Sequence, residues 1–323
     1  MRSKIASVLV GLGVFLIVAA VLVRAYAYPT LARVPTNYDE TTKLEAKGAL
    51  VFNSDPKVLK TETSDLDISA HTVADSGAKA PDGKVVWVTS TTLKRPDGSV
   101  FQQQRDRVPF DAVSGKAVDC AKCDSWSEVA TGVQVPVVRK GQTLKFPFDT
   151  QKKDYLVWDD ATGQATTARY EGTAKVDGLT AYKFVQTIKP QIIETREVPG
   201  SVFGVEKASV LADMWYGMTR TFYIEPNTGS PVNRVEERQQ ELRYDGVVVP
   251  AFTGTVKYTA AQVQKSVNDT KSKGAMLGGM KVLYPLVMFL LGLAMVALGL
   301  VMNRGGRKVR NDVDAEDKSL VGV

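Results

Sequence analysis

Two runs of this chain carry no charged side chain, residues 5–23 and residues 282–302, one near each end. They are 19 and 21 residues long. A helix rising ~1.5 Å per residue needs about 20 residues to cross a ~30 Å hydrocarbon core, so each run is long enough to span a bilayer. Pro285 falls in the first turn of the second run and Tyr284 at interface depth, both tolerated positions. Whatever folds here lies between two anchors. A soluble cytoplasmic enzyme is not patterned this way.

The flanks give an orientation. Arg2 and Lys4 precede the first run, and Arg304, Arg307, Lys308 and Arg310 follow the second. An excess of Lys and Arg marks the cytoplasmic side, so both termini are expected inside. The expected layout is a cytoplasmic N-terminus (1–4), a first membrane helix (5–23), an extracytoplasmic domain (24–281), a second helix (282–302) and a basic cytoplasmic tail (303–323). The membrane is expected to be the cell (plasma) membrane. Ala25-Tyr26-Ala27 resembles a signal-peptidase site, which makes a cleaved signal peptide the rival for the first run. Signal cores run about 7–15 residues, shorter than this one, so an uncleaved anchor is expected.

Net charge is +6, yet most of the excess sits at the ends. Residues 24–280 hold 33 bases against 31 acids. Such near-balance offers no basic stripe for a phosphate backbone, which excludes nucleic acid as a partner. The basic cluster after the second run faces anionic lipid instead.

Between the anchors, turn signals separate short β-branched stretches. Asp97-Gly98, Asp177-Gly178 and Asp245-Gly246 each sit between strand-like runs, and Asp-Gly supplies the positive φ of a two-residue hairpin. Three hairpins are expected: 84–93 with 99–106, 168–176 with 179–188, and 231–244 with 247–258. A second turn grammar recurs at 110–118, 157–166 and 224–232. There an apolar strand end meets Asp or Glu-Pro, then a small polar residue and Gly, then a new strand. Residues 259–273 and 206–217 read as helices, and 29–48 as an extended stalk or a chain lying along the domain. The fold expected is mainly β: one large antiparallel domain, barrel-like or a strongly curved sheet, because so many strands must remove their edges.

Chemistry is sparse. His71 is the one histidine and no Gly-x-Ser-x-Gly elbow occurs. Gly11-Leu-Gly13 lies inside the first apolar run, so it is no dinucleotide fingerprint. The carboxylate pairs Asp65/Asp67 and Asp159/Asp160 read as solvated turn residues rather than a glycosidase pair. No enzyme activity, cofactor or metal is expected. Cys120-Ala-Lys-Cys123 has three open states: a structural disulfide, a redox-active pair, and free or metal-bound thiols. Outside a membrane, thiols this close normally oxidise, which favours the first. Aromatic residues are frequent, and a large β-barrel does not fill its own centre. An apolar cavity lined by Phe184, Phe222 and Phe252 is therefore expected, open toward the membrane.

The segments -YPTLARVPTNYD- at 28–39 and FYIEPNTGSPVNRV at 222–235, with the two-anchor layout, resemble the actinobacterial membrane proteins labelled porin PorA-like. That resemblance covers nearly the whole chain and implies a porin role. The architecture alone is similar to class B scavenger receptors, which pass lipid along an internal tunnel. Three functions follow. The first is a double-anchored envelope protein whose outer domain binds or passes lipid or another hydrophobic ligand, with membrane lipid as partner. The alternatives are a porin or ion-channel component, and a scaffold or accessory subunit bound to other envelope proteins.

Overall fold

The computed structural model describes residues 2–130 and 132–319, with side chains at 4–128 and 132–303. The chain divides into two compact units, Arg33–Gly274 and the terminal segments Met1–Ala32 with Ala275–Val323.

The terminal unit is a helix pair. α1 (Arg2–Leu22) runs through a π-turn at Val23–Ala27 into α2 (Tyr28–Leu31), which carries Pro29 in its first turn. α3 (Ala260–Gly278), which belongs to the other unit as far as Gly274, passes through a second π-turn at Gly279–Leu283 into α4 (Tyr284–Ser319). Lys4–Leu31 and Ala260–Asn303 are both long and apolar enough to cross a membrane. α1 and α4 pack antiparallel through small residues seven apart. A Cβ on Gly13 would lie 2.6 Å from the Gly292 carbonyl, and one on Gly299 2.8 Å from that of Ala6. Such close backbone approach is how helices associate in lipid, where no hydrophobic drive exists between them. The remaining faces, with Phe15, Tyr26 and Val301 strongly exposed, are apolar.

The other unit is a 12-stranded antiparallel sheet. Its strands are β1 (Asp39–Asn53), β2 (Lys60–Ala74), β3 (Lys84–Lys94), β4 (Val100–Asp111), β5 (Trp126–Ala130), β6 (Val133–Pro136), β7 (Tyr155–Asp159), β8 (Gln164–Val176), β9 (Leu179–Pro199), β10 (Ser209–Ile224), β11 (Pro231–Tyr244) and β12 (Val247–Tyr258). The order is β6-β5-β4-β3-β2-β1-β12-β11-β10-β9-β8-β7, so the chain meanders outward from the centre through β1–β6 and back from the far edge to the centre through β7–β12. The sheet is open by its ladders. Backbone bonds nevertheless connect its two wings at one end: Asp111 N–H to Lys116 O, Ala117 N–H to Gly141 O, then Gln142 to Leu156 and Trp158 on β7. That covers part of two edges that would otherwise be left bare.

The three expected hairpins form β3/β4, β8/β9 and β11/β12. At both Asp177-Gly178 and Asp245-Gly246 the two residues have positive φ, the geometry of a two-residue primed turn. The second grammar recurs as well, with a side-chain carboxylate capping each turn: Asp111 accepts from Ser114 N–H, Asp159 from Thr162 N–H and Glu225 from Thr228 N–H. Gly229 closes the last of these at φ 69°, and a Cβ there would stand 2.2 Å from the Phe146 carbonyl.

Two expectations fail. Residues 206–217 are not a helix: after a 3₁₀ turn at Gly200–Phe203, β10 buries Val210, Ala212, Met214, Tyr216 and Met218 at every second position. A period of two, flanked by β9 and β11, outweighs local helix preference. The stalk reading of 29–48 fails as well, and its alternative fits residues 33–38, which lie along the domain: after α2 ends at Leu31, buried Val34 donates its N–H to Ala112 O before β1 begins at Asp39.

Apolar side chains fill the interior in separate clusters. One holds Phe146, Tyr155, Val157, Ala168, Phe184, Phe222 and Ile224. A second gathers Leu44, Ala46, Val51, Leu66, Ile68, Phe252 and Val256 around β1, β2 and β12. A third lies under the β9/β10 end with Phe203, Met214 and Leu242. Each fully buried large side chain contributes roughly 1.5–3 kcal/mol by area.

Candidate functional site

Strand alternation puts every second residue of β11 on the interior face, and there the residues are Val232, Arg234, Glu236, Arg238, Gln240 and Leu242. Charge therefore enters the interior as a column. Arg220 of β10 pairs directly across from Glu236, and Gln186 of β9 across from Arg220. Asp159, at the end of β7, reaches the same point from 61 residues upstream of Arg220.

Glu236 is 2% exposed and is gripped from three sides. Its Oε1 accepts from Arg220 Nε at 2.8 Å and its Oε2 from an Arg238 Nη at 2.8 Å, while Arg234 Nε stands 3.2 Å from Oε1. Arg220 also donates to Gln186 at 3.0 Å and Asp159 at 3.3 Å, and the Tyr216 hydroxyl donates to Asp159 at 3.1 Å. Gln186 completes the set by donating to the Val157 carbonyl at 2.9 Å. Burial by itself would raise the Glu236 carboxyl; Arg220, Arg234 and Arg238 overcome it and hold that group far below the carboxylate range. The Tyr216 phenol is pushed well up by burial.

Aromatic rings hold the guanidinium planes. Arg220 lies 5.8 Å from the Phe222 ring centre, Arg234 5.8 Å from Tyr258 and Arg238 5.7 Å from Phe252. Cations over such faces gain ~0.5–2 kcal/mol and are fixed in direction. Gly254, opposite Arg238, has its missing Cβ only 2.8 Å from that of Ala49, so the strands close tightly behind the arginine.

A second polar site lies where the wings of the sheet are joined. Residues 139–150 cross this end as a strap. Arg139, 5% exposed, donates to Asp106 at 2.7 Å, Asp160 at 3.1 Å and Ser127 at 2.6 Å, tying β4 and β5 to the end of β7. Further on, Phe146 N–H bonds to Gly229 O and Phe148 N–H to Val113 O. Lys145 is buried between these points. Its Nζ rests 3.4 Å from the Phe148 ring centre with no hydrogen-bond partner among the described residues. Burial drives this amine well below the usual lysine range.

Of the residues singled out from sequence, Phe184 and Phe222 are cross-strand neighbours in one packed cluster, and Phe252 belongs to another. Cys120 and Cys123 are disulfide-bonded with Cα atoms 5.2 Å apart, Cys123 fully buried. His71 lies exposed on β2, its Nε2 2.8 Å from Asp39. Lys4 is exposed on α1, whereas the side chains of Arg2, Arg304, Arg307, Lys308 and Arg310 lie outside the described residues. Asp159, read as a solvated turn residue, is 2% exposed and part of the charge cluster. Arg220, Arg234, Glu236 and Arg238 were not singled out at all. The usable signal was a column of charges at every second residue, bracketed by the apolar Val232 and Leu242.

Fold and site define a membrane protein with an apolar helix pair and a β unit whose interior is partly charged. The family model described as Porin PorA matches residues 5–301. The chain belongs to that family. It is 25% identical to "Porin PorA" of Corynebacterium amycolatum, over 73% of this chain and 77% of that one. With "Porin PorA" of Corynebacterium resistens it shares 22% identity over 98% of this chain and the whole of that one. A solved protein from Bacteroides fragilis, described as exported with a YmcC-like fold, matches 70% of the chain at 9% identity and a TM-score of 0.19.

Proposed function

We propose that the protein is a porin-type component of the cell envelope that passes small charged solutes. The observation that carries this reading is the interior column of Arg234, Glu236 and Arg238, joined by Arg220 and Asp159. Charged linings sort ions and disfavour acyl chains. The relatives named porins support the same reading. On β2, β8 and β11 outward mid-strand positions are polar, with Asp67 and His71 on β2, Arg169, Glu171 and Lys175 on β8, and Glu237 and Gln239 on β11 all exposed. A lipid-facing barrel would carry an apolar band there. The β unit therefore works in water, and passage through the bilayer takes helix pairs from several copies. Both termini are cytoplasmic in this scheme and the β unit is extracytoplasmic.

Reconstitution of the full chain in planar bilayers tests it. Stepwise conductance is expected, with a reversal potential that moves when Arg238→Gln removes one interior charge. Silent bilayers at micromolar protein would end the porin reading.

A second reading, a carrier for membrane lipid, is supported by the absence of any charged side chain in residues 5–23 and 282–302, which leaves one copy without a polar route through its helices. Lipid retained through mild-detergent purification and seen by native mass spectrometry, with no conductance, would favour it.

A further inference from the structure

We infer that the interior of the β unit holds a binding site for a small oxyanion, phosphate or carboxylate in chemistry, between Arg234 and Arg238. The inference deepens the porin reading only in treating this interior as facing solute.

The charges do not balance. Arg220, Arg234 and Arg238 face Glu236 and Asp159, three guanidiniums against two carboxylates. Arg220 spends its donors on Glu236, Gln186 and Asp159. The other two do not. The Nε of Arg234 and that of Arg238 are buried and make no hydrogen bond among the described residues, the first lying 3.2 Å from Glu236 but out of line with it. A buried guanidinium N–H without an acceptor destabilises its site, and an added acceptor removes that cost.

Access and rigidity both fit. The side chains of Arg234 and Arg238 are 33% and 26% exposed while that of Glu236, between them, is 2% exposed, so an incoming anion meets the arginines before the carboxylate. Tyr258 and Phe252 hold the two planes. Guanidinium forks bind oxyanions by paired N–H···O bonds, and fixing the forks beforehand lowers the ordering cost. Glu236 plays the competitor: it positions both arginines and also occupies part of their donor capacity.

Calorimetric titration of the full chain in detergent at low salt, with inorganic phosphate and separately with dihexanoyl phosphatidate, decides the matter. Saturable binding is expected, weakened at least tenfold by Arg238→Gln. Arg234→Lys, which keeps the charge and loses the fork, should weaken it severalfold, and Glu236→Gln should tighten it. Phosphatidate binding alone would place the site on a lipid headgroup, and equal binding of both would place it on the free anion; each supports the site. No saturable titration with either probe, or Arg234→Lys and Arg238→Gln proteins that fold and bind like the wild type, would overturn it. Conductance without anion binding would leave the porin reading standing and remove this site. Anion binding without conductance would do the reverse.

Discussion

Two buried charges in the same β unit are handled in opposite ways. Glu236 sits at the centre of three arginines, two of which hydrogen-bond to it. Lys145, in the strap at the seam, has a ring face beside its amine and no acceptor among the described residues. Desolvation penalises both charged forms alike. The first region offsets the penalty with opposite charge and hydrogen bonds, and its carboxyl stays ionised. The second has only the charge of Asp111 against burial, without a hydrogen bond among the described residues, and its amine is driven toward the neutral form. A buried ion can thus be a fixed charge or a loosely held proton, and its partners decide which.

The largest effect should come from emptying the first region. Glu236→Ala leaves Arg220, Arg234 and Arg238 facing one another around a void, and a loss of about 3–5 kcal/mol is expected by chemical denaturation of the full chain. Acid titration sharpens the point. The folded carboxyl lies below its ordinary value of 4.5, so the folded state binds fewer protons than the unfolded one between those two values. Stability should then fall as pH drops below about 4.5, and Glu236→Gln should flatten that fall. An unchanged acid limb would mean the carboxylate is not held as described.

The opposite sign is expected at the strap. Lys145→Met keeps the length of the side chain and removes the amine. It should stabilise by about 1 kcal/mol or more, read as a rise of roughly 2–4 °C in Tm per kcal/mol. The folded amine lies below its ordinary value of 10.5, so wild-type stability should rise with pH from the folded value up to 10.5. The methionine variant should lose that rise. A destabilised variant would show that the amine has an acceptor after all.

The smallest change concerns Cys120 and Cys123. Their bridge closes a loop of four residues in the link between β4 and β5, so replacing both with Ser should cost at most about 2 kcal/mol and leave the β unit folded. Mass shifts after alkylation under native and reducing conditions check that the bridge forms in cells. Failure of the double variant to fold would give the bridge a larger part than its loop size allows.

Much of this molecule was legible in the chain because the signals are local. Residues 5–23 and 282–302 are readable from composition alone, and the small residues that pair the helices, Gly13, Gly292 and Gly299, lie within them. Asp177-Gly178 and Asp245-Gly246 demand a positive φ that few residues tolerate, so β8/β9 and β11/β12 follow from two positions each. Residues 206–217 misled because their local preference competes with a period of two that matters only once β9 and β11 flank the strand.

The charged interior belongs to tertiary structure. On β11 both faces carry charge, Arg234, Glu236 and Arg238 on one and Glu237 and Arg243 on the other, so alternation alone does not say which face is buried. Pairing in register with β10 and β12 settles that, and it brings Arg220 across from Glu236. Asp159 and Tyr216, 57 residues apart, meet because the sheet carries them together. The chain by itself determined its anchors, its turns and its strand-rich class, each through interactions a few residues long. Which charges lose their water, and which partners then keep them ionised, was decided by long-range register, because burial is a property of the assembled sheet.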